Sequence, residues 1–309
     1  MGGGRWNSDE WDSYTTSKGY ATKSTEAIYT SRKMHDDLDP KGVKFRESRD
    51  SEDNPKSSAV IVGLDVTGSM SSVLDAMART GLNTLVTNIY DRKPVEDPHV
   101  MCMGIGDVEM GDRAPLQITQ FEADIRIAKQ LENIWLEGGG GGNNCESYTL
   151  AWYFAAMHTH IDCFQKRGKK GYIFTVGDEM PASILRASEI ESVTGFNPER
   201  DFTCEELFEM VSRQYEVYHL IVEEGFNYMY RPDKTVRAWT QILGQRAIKL
   251  SDHTKMGEVI ISTMQVNEGE DHNKIVDSWD GDTSLVVKRA IGDMVDITTV
   301  GEDTGVIEF

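Results

Sequence analysis

Residues 59–64 read Ala-Val-Ile-Val-Gly-Leu, and this nearly continuous apolar run constrains the fold more than any other feature of the sequence. A strand with one face in water alternates apolar and polar residues, whereas a run of this kind suits a central parallel strand covered on both faces. The run ends at Asp65, and the spacing of apolar residues predicts an amphipathic helix from about residue 71 to residue 90. The sequence therefore predicts a parallel β-sheet with helices packed against it.

The same order of strand and helix recurs along the chain. Further strands are predicted at residues 100–105, 116–121 (short and antiparallel), 171–176, 217–222 and 247–250, and further helices at residues 124–136, 146–164, 205–213, 236–243 and 256–264. Alternation at this spacing predicts an α/β fold with a doubly wound, mostly parallel central sheet and helices on both faces. Ligands of such sheets bind at the carboxyl ends of the strands.

The pattern divides the chain into three parts. Residues 1–58 form a polar N-terminal arm with scattered aromatic residues, residues 59–268 form the main domain, and residues 269–309 form a C-terminal extension. The arm is either a flexible tail or a segment that packs onto the domain or onto a partner, and its aromatic residues favour packing. The extension contains a possible helix at residues 284–294 and an acidic end around Glu302 and Asp303.

The net charge argues against two classes of partner. The chain carries 32 Lys and Arg against 51 Asp and Glu, a formal charge of −19, and most of the acidic excess follows residue 58. Nucleic-acid phosphates are bound mainly by Lys and Arg, and an anionic membrane surface attracts basic segments. We therefore expect neither a nucleic acid nor a membrane as the partner.

Cysteine spacing and hydropathy indicate a cytoplasmic protein. The four cysteines are widely spaced and form no C-x-x-C pair, which favours buried thiols in a reducing compartment over zinc ligands or disulfides. The sequence contains no apolar stretch near 18 residues, and no apolar run follows its N-terminus.

The strongest chemical signal is the segment from Asp65 to Ser69, which reads Asp-Val-Thr-Gly-Ser at the end of the first predicted strand. The Asp65 carboxylate and the Thr67 and Ser69 hydroxyls alternate, so they can converge on one point where the chain turns, and Gly68 permits a tight turn. Oxygen ligands alone suit a hard cation such as Mg²⁺, with Mn²⁺ or Ca²⁺ as alternatives. The segment therefore predicts a metal site but does not by itself predict a reaction.

This segment resembles the D-x-[ST]-x-S motif of the metal-ion-dependent adhesion site (MIDAS) in von Willebrand factor type A (VWA) and integrin I domains. The glycine-rich loop at residues 138–144 resembles the second loop of that site, and the strand ending in Gly177-Asp178-Glu179 resembles the third. The resemblance covers roughly residues 59–268. It implies that Thr67 and Ser69 bind the cation directly and that Asp65 and Asp178 bind it directly or through water.

The second loop departs from the family pattern. The family usually supplies a threonine hydroxyl there, whereas this loop reads Gly142-Asn-Asn-Cys-Glu146. Asn144 lies nearest to the threonine position, and its side-chain carbonyl can replace the hydroxyl. Glu146 is the alternative ligand, and its charge would bind the metal more tightly or alter the adhesive role.

The resemblance implies a protein that is not an enzyme. In this family an Asp or Glu from a protein partner fills an open position on the cation, and intracellular bacterial and phage members often act as adaptors beside AAA+ ATPases of the MoxR type. The partner is accordingly expected to be such an ATPase or its client. One alternative is an assembly component that binds neighbouring subunits through its arm and its C-terminal extension.

A second alternative is a Mg²⁺-dependent phosphatase resembling the haloacid dehalogenases, with Asp65 as the nucleophile. Those enzymes use a second aspartate two residues later as the general acid, and this chain has Thr67 there. His158 and His160, on the helix at residues 146–164, are predicted to be surface or core polar residues and not ligands, and His219, in a strand, is predicted to be structural.

Overall fold

The computed structural model describes residues 3–139 and 142–294, except for the side chain of Ser69. Gly140 and Gly141 of the glycine-rich loop and the predicted acidic end at Glu302 and Asp303 lie outside the described residues. The central sheet has six strands: β1 Ser58–Asp65, β2 Pro98–Ile105, β3 Leu116–Ile118, β4 Gly171–Gly177, β5 Tyr215–Val222 and β6 Ala247–Leu250.

The strands lie in the order β6-β5-β4-β1-β2-β3. Neighbouring strands are parallel, except that the short edge strand β3 is antiparallel to β2 as predicted. The predicted mixed α/β fold with a mostly parallel sheet is confirmed. Because parallel strands end at the same edge, Asp65 of β1, Ile105 of β2 and Gly177 of β4 lie along that edge.

Helices flank the sheet. The described α-helices are α1 Ser8–Lys18, α2 Thr25–Ile28, α3 Ser71–Ala76, α4 Leu82–Arg92, α5 Arg126–Leu131, α6 Tyr148–Met157, α7 Asp162–Arg167, α8 Ala187–Thr194, α9 Cys204–Val211, α10 Phe226–Tyr230, α11 Pro232–Leu243, α12 Met256–Asn267, α13 His272–Asp277 and α14 Gly281–Ile291. A π-helical turn, Met77–Gly81, joins α3 to α4, so the predicted helix over residues 71–90 is confirmed. None of the described helices is both long enough and apolar enough to cross a lipid bilayer.

Every residue of β1 is buried, and its side chains alternate between two apolar clusters. Val60, Val62 and Leu64 belong to a cluster that includes residues of α3, α4, α5, α12 and α14. Ala59 and Ile61 belong to a second cluster, with residues of α6, α9 and α11. The uniformly apolar sequence of β1 is thus explained by a strand that packs against helices on both of its faces.

One predicted element is wrong. The helix expected over residues 146–164 is interrupted: α6 ends at Met157, Thr159–Ile161 forms a short strand parallel to Arg46–Ser48, and α7 begins at Asp162. The Thr159 hydroxyl lies 2.7 Å from the Tyr215 hydroxyl, and backbone pairing with the N-terminal segment replaces the helical hydrogen bonds. His160 therefore lies in a strand, stacked on Phe45 at 3.7 Å between ring centroids.

The N-terminal arm packs onto the domain, as its aromatic residues predicted. Trp6, Trp11, Tyr20 and Tyr29 are all buried. The Trp6 indole donates to both Asn83 and Thr87 of α4 at 3.2 Å, and the Tyr29 hydroxyl donates to a backbone carbonyl of α3 at 2.9 Å. The large apolar surfaces of these residues are therefore covered within the chain itself.

Glu132 holds the arm in place, which leads to a prediction. Its carboxylate accepts from Tyr14 and Tyr20 at 2.6 Å and from Lys18 at 2.8 Å, and these bonds keep the pKa of Glu132 low despite its partial burial. We expect Glu132→Gln to lower the free energy of unfolding by about 1–2 kcal/mol, because charge-assisted hydrogen bonds are replaced by neutral ones. Denaturant unfolding measures the loss, and exposed Glu10→Gln in α1 is the control. Equal stability of the two variants would contradict this role.

Candidate functional site

The first loop folds around the Asp65 carboxylate. Its Oδ1 accepts from the backbone N–H of Thr67 at 2.9 Å and from the Thr67 hydroxyl at 2.6 Å. Its Oδ2 accepts from the Tyr148 hydroxyl at 2.9 Å. Asp65 is fully buried, Thr67 is nearly so, and the chain then turns into the short 3₁₀ helix Gly68–Met70. The side chain of Ser69, a predicted ligand, lies outside the described part of the structure.

The second loop lies against the first and the third. A Cβ atom on Gly68 would lie 3.6 Å from the carbonyl oxygen of Gly138, where the glycine-rich loop begins. At the other end of this loop, Cys145–Glu146 pairs in parallel with Met180–Pro181, just after Asp178. Asn144 adopts a left-handed conformation, with φ of 64°, and its backbone carbonyl oxygen accepts from the backbone N–H of Met180. The second loop is therefore held beside the third by backbone pairing, and its start lies close to the first.

The third loop carries Asp178, which is fully buried immediately after β4. Its Oδ2 accepts from the backbone N–H of Asn227 at 2.8 Å. Gly225 packs so closely that a Cβ atom there would lie 2.2 Å from the Asp178 Cβ, and so the approach requires glycine. Asp178 and Asn144 line a common cleft of about 250 Å³, which places two of the predicted ligands from different loops together.

Three further carboxyl groups are buried at the same edge: Glu146, the predicted alternative to Asn144, and two that the sequence did not single out, Asp107 and Glu179. Asp107 follows β2, Glu146 lies in the second loop and Glu179 follows Asp178, and each is at most 5% exposed. Asp107 accepts from the Asn143 amide at 2.6 Å. Among the described residues, neither carboxylate oxygen of Glu146 has a hydrogen-bond partner, and nor does one oxygen of Glu179.

These groups raise one another's pKa values. Burial raises the pKa of Glu146 far above its ordinary value, and the charges of Asp65, Glu179 and Asp107 raise it further. Burial likewise raises the pKa of Glu179 to about 8, with Asp65 and Asp178 contributing. Burial also raises the pKa of Asp65 against the lowering effect of its Thr67 hydrogen bonds. The site therefore brings together more carboxyl groups than its hydrogen bonds can hold in the ionised form at neutral pH.

The donor types at this edge suit a hard divalent cation, although among the described residues no three of its carboxyl groups bring ligand atoms within 4.8 Å of one another. A buried ionised carboxylate is costly unless it is paired or binds a metal, and oxygen atoms from carboxylates, hydroxyls and amides are the ligands that Mg²⁺ and Ca²⁺ prefer. The two unpartnered oxygens of Glu146 are the most direct sign that the carboxyl groups lack a compensating charge. Asp65, Thr67, Asn144, Glu146 and Asp178 offer ligands of this kind.

The raised pKa values predict how the stability of the metal-free protein depends on pH. A carboxyl group whose pKa is higher in the folded than in the unfolded chain stabilises the fold at low pH and loses that contribution as pH rises through the folded pKa. Buried His99, His158 and His219 have lowered pKa values and act in the opposite sense, but only up to about pH 6.5, where the unfolded histidine titrates.

Above that pH the carboxyl groups dominate, since the pKa of Glu179 is about 8. We therefore expect the melting temperature in chelator to fall between pH 6.5 and pH 8.5. The free energy of unfolding should decrease by up to about 1.4 kcal/mol per pH unit for each titrating group. Thermal melts across this range with chelator or with excess Mg²⁺ measure the effect, and Mg²⁺ should reduce the fall. A melting temperature that rises with pH in chelator would contradict it.

A different acidic group lies where β5 and β6 end. Ligand atoms of Glu224, Asp252 and His253 all lie within 4.8 Å of one another, and His253 Nδ1 is 2.6 Å from a Glu224 oxygen. Glu224 is exposed, and the Asp252 carboxylate accepts from the backbone N–H and hydroxyl of Thr254. Exposed groups of this kind are common without a metal, and this one serves below as a control.

The surroundings of His219 and Cys145 favour structural roles for both side chains. His219 is fully buried, with Nδ1 at 2.9 Å from the Thr175 hydroxyl and its ring stacked 3.5 Å from that of Trp239, so the predicted structural role is confirmed. Burial raises the pKa of the Cys145 thiol to about 11, which leaves little thiolate at neutral pH.

Comparison with known proteins gives little further information. No protein-family model and no curated protein matches the chain. Two crystal structures of the pilus adhesin SpaC from Lactobacillus rhamnosus GG, one of them in an open conformation, are similar to it with TM-scores of 0.47 and sequence identities of 12% and 14%. Each similarity covers 71% of this chain but only 31% and 32% of the adhesin chains. Similarity at this level supports no conclusion about function.

Proposed function

We propose that this chain contains a doubly wound, VWA-type domain that binds one divalent cation, most simply Mg²⁺, and uses it to bind an acidic group of a protein partner. Asp65, Thr67, Ser69 and Asp178 would hold the cation. The second loop offers Asn144 at the open cleft and Glu146 from the buried side. The cation supplies a positive charge that an incoming carboxylate can bind.

The topology supports this proposal. Between β1 and β4 the strand order reverses, and in open α/β sheets ligands bind at such a point, beyond the carboxyl ends of the strands. Asp65 ends β1 and Asp178 directly follows β4, so the two predicted carboxylates flank that point. Helices also pack against the sheet in two separate apolar clusters, as a doubly wound fold requires.

The observation that carries the proposal is the burial of Glu146 and Glu179, three of whose carboxyl oxygens have no hydrogen-bond partner among the described residues. Removing an ionised carboxylate from water costs several kcal/mol unless an opposite charge compensates. Glu146 is 1% exposed, and its two oxygens have no hydrogen-bond partner among the described residues. The raised pKa of Glu146 keeps this carboxyl group protonated in the metal-free chain, and a cation between the loops would supply the charge that allows it to ionise.

The phosphatase alternative has less support. Phosphatases of this kind need a general acid two residues after the nucleophile, and Thr67 at that position donates its hydroxyl to Asp65. Asp65 is also fully buried and does not line the open cleft. The assembly alternative has no specific support from the N-terminal arm, whose aromatic residues are buried against the chain's own helices.

Two measurements on the full chain test the proposal. The first is thermal unfolding with Mg²⁺ and with chelator, for which we expect stabilisation that grows as RT ln(1+[L]/Kd). The second is hydrolysis of a generic phosphate ester, for which we expect no turnover that depends on Asp65. An absence of Mg²⁺-dependent stabilisation would contradict the metal site, and turnover abolished by Asp65→Asn would favour the phosphatase.

A further inference from the structure

The short helix α10, Phe226–Tyr230, exposes an unusual amount of apolar surface beside the cleft. Phe226 is 60% exposed, Met229 is 63% exposed and Tyr230 is 75% exposed. Their spacing of three and four residues puts them on one face of the helix, and the rings of Phe226 and Tyr230 are 5.1 Å apart between centroids. Clustered exposed apolar side chains of this size are a mark of an interaction surface.

The opposite side of α10 is firmly attached to the domain. The Tyr228 hydroxyl donates to Glu223 at 3.0 Å, and Arg289 of α14 forms an ion pair with the same carboxylate at 2.8 Å. The backbone N–H of Asn227 donates to Asp178. The exposed apolar face is therefore presented by an anchored helix, and its position is tied to a predicted metal ligand.

The apolar face and the acidic site share one cleft. Phe226 and Tyr230 line the same cleft as Asn144 and Asp178, and Arg231 lines it as well. Its volume of about 250 Å³ is below the range of roughly 300–1,000 Å³ typical of sites for whole small molecules. The cleft therefore suits side chains that reach in from the surface of another protein.

Resting on the proposed metal-dependent function, we infer that α10 is a specificity-determining docking surface for a partner segment in which apolar side chains flank the acidic residue. Charge complementarity places the partner's carboxylate at the cation and Arg231. The flanking apolar side chains then cover Phe226, Met229 and Tyr230. A carboxylate alone would leave that apolar face in water, so both features of the segment are needed for tight binding.

The test uses capped synthetic pentapeptides titrated into the full chain in Mg²⁺, with binding followed by calorimetry or by nuclear magnetic resonance. One peptide has aspartate flanked by leucines, the second has aspartate flanked by serines, and the third has lysine flanked by leucines. We expect the leucine-flanked aspartate peptide to bind about tenfold more tightly than the serine-flanked one, the change expected for partial burial of apolar side chains. The lysine peptide should bind more weakly than either.

Variants separate the helix from the metal site. Phe226→Ser combined with Tyr230→Ser should abolish the preference for leucine, whereas Leu285→Ser, at a residue of α14 that is 66% exposed, should leave it intact. Stabilisation by Mg²⁺, read by thermal unfolding, should be the same in both variants and in the unchanged chain. The substituted residues are all exposed, so the variants should fold.

Several results would overturn the inference. It fails if Mg²⁺ stabilises the chain but the two aspartate peptides bind equally or neither binds, or if the Phe226 and Tyr230 changes leave the preference unaltered. Tighter binding of the lysine peptide would show that the cleft takes a basic partner. Sedimentation that reveals a dimer lost in the double variant would assign α10 to a second copy of this chain. If Mg²⁺ does not stabilise the unchanged chain, the proposed function itself is contradicted.

Discussion

Replacing Asp65 by Asn is expected to abolish the stabilisation of this protein by Mg²⁺ without destabilising the metal-free chain. For the unchanged chain, Mg²⁺ at a hundredfold excess over its Kd should add about 2.7 kcal/mol to the free energy of unfolding. Asn keeps the size of the side chain and can still accept from Thr67. It also removes a buried group whose pKa is raised by burial and by Asp178, so the metal-free variant should be at least as stable.

The control for this variant is Asp252→Asn. Asp252 belongs to the other acidic group of the described residues, with Glu224 and His253, and lies in the loop after β6. Denaturant unfolding with Mg²⁺ and with chelator gives the stabilisation for each variant. If Mg²⁺ still stabilises Asp65→Asn but no longer stabilises Asp252→Asn, the cation binds at Glu224, Asp252 and His253, and the assignment to Asp65 is refuted.

Replacing Glu146 by Gln should weaken Mg²⁺ binding about tenfold or more and change the stability of the metal-free chain by less than about 1 kcal/mol. Glu146 is buried without hydrogen-bond partners among the described residues, and its pKa lies far above neutral, so the metal-free chain holds it protonated. Gln is a close mimic of that neutral form. Only the cation-bound state needs the carboxylate, and so only that state loses a charge interaction.

Asn144→Ala is the matched change on the same loop. Asn144 lines the open cleft and offers a neutral carbonyl, so its loss should weaken Mg²⁺ binding less than the loss of the Glu146 charge. Calorimetric titration of both variants with Mg²⁺ measures the difference. If Glu146→Gln binds Mg²⁺ as tightly as the unchanged chain while Asn144→Ala does not, Glu146 is not a ligand. Asn144 would then be the ligand from this loop.

The parallel sheet could be predicted because its signals are local. β1 and β4 are continuous apolar runs, and burial on both faces requires such runs whatever they pack against. The break after α6 could not be predicted in this way. Residues 146–164 favour a helix locally, and only the distant segment Arg46–Ser48, which pairs with Thr159–Ile161, makes a strand more stable there.

Some residues of the candidate site could be proposed from local signals as well. Asp65 and Asp178 were proposed because each stands at the end of a recognisable strand and matches the resemblance to the VWA site. Asp107 carried only the first of these signals, since it comes two residues after the end of β2. Tyr148 carried none, because its role depends on α6 packing over Asp65 in three dimensions. The burial of Glu179 likewise depends on the pairing of Met180–Pro181 with the second loop.

We propose that one hard cation binds among the loops that carry Asp65, Glu146 and Asp178. Calorimetric titration of the full chain with Mn²⁺, which substitutes for Mg²⁺ and binds more strongly to most sites, tests this claim most directly. We expect one ion to bind per chain, with binding lost in both Asp65→Asn and Asp178→Asn and retained in Asp252→Asn. No binding to the unchanged chain, or binding that survives both of the first two changes, would contradict it.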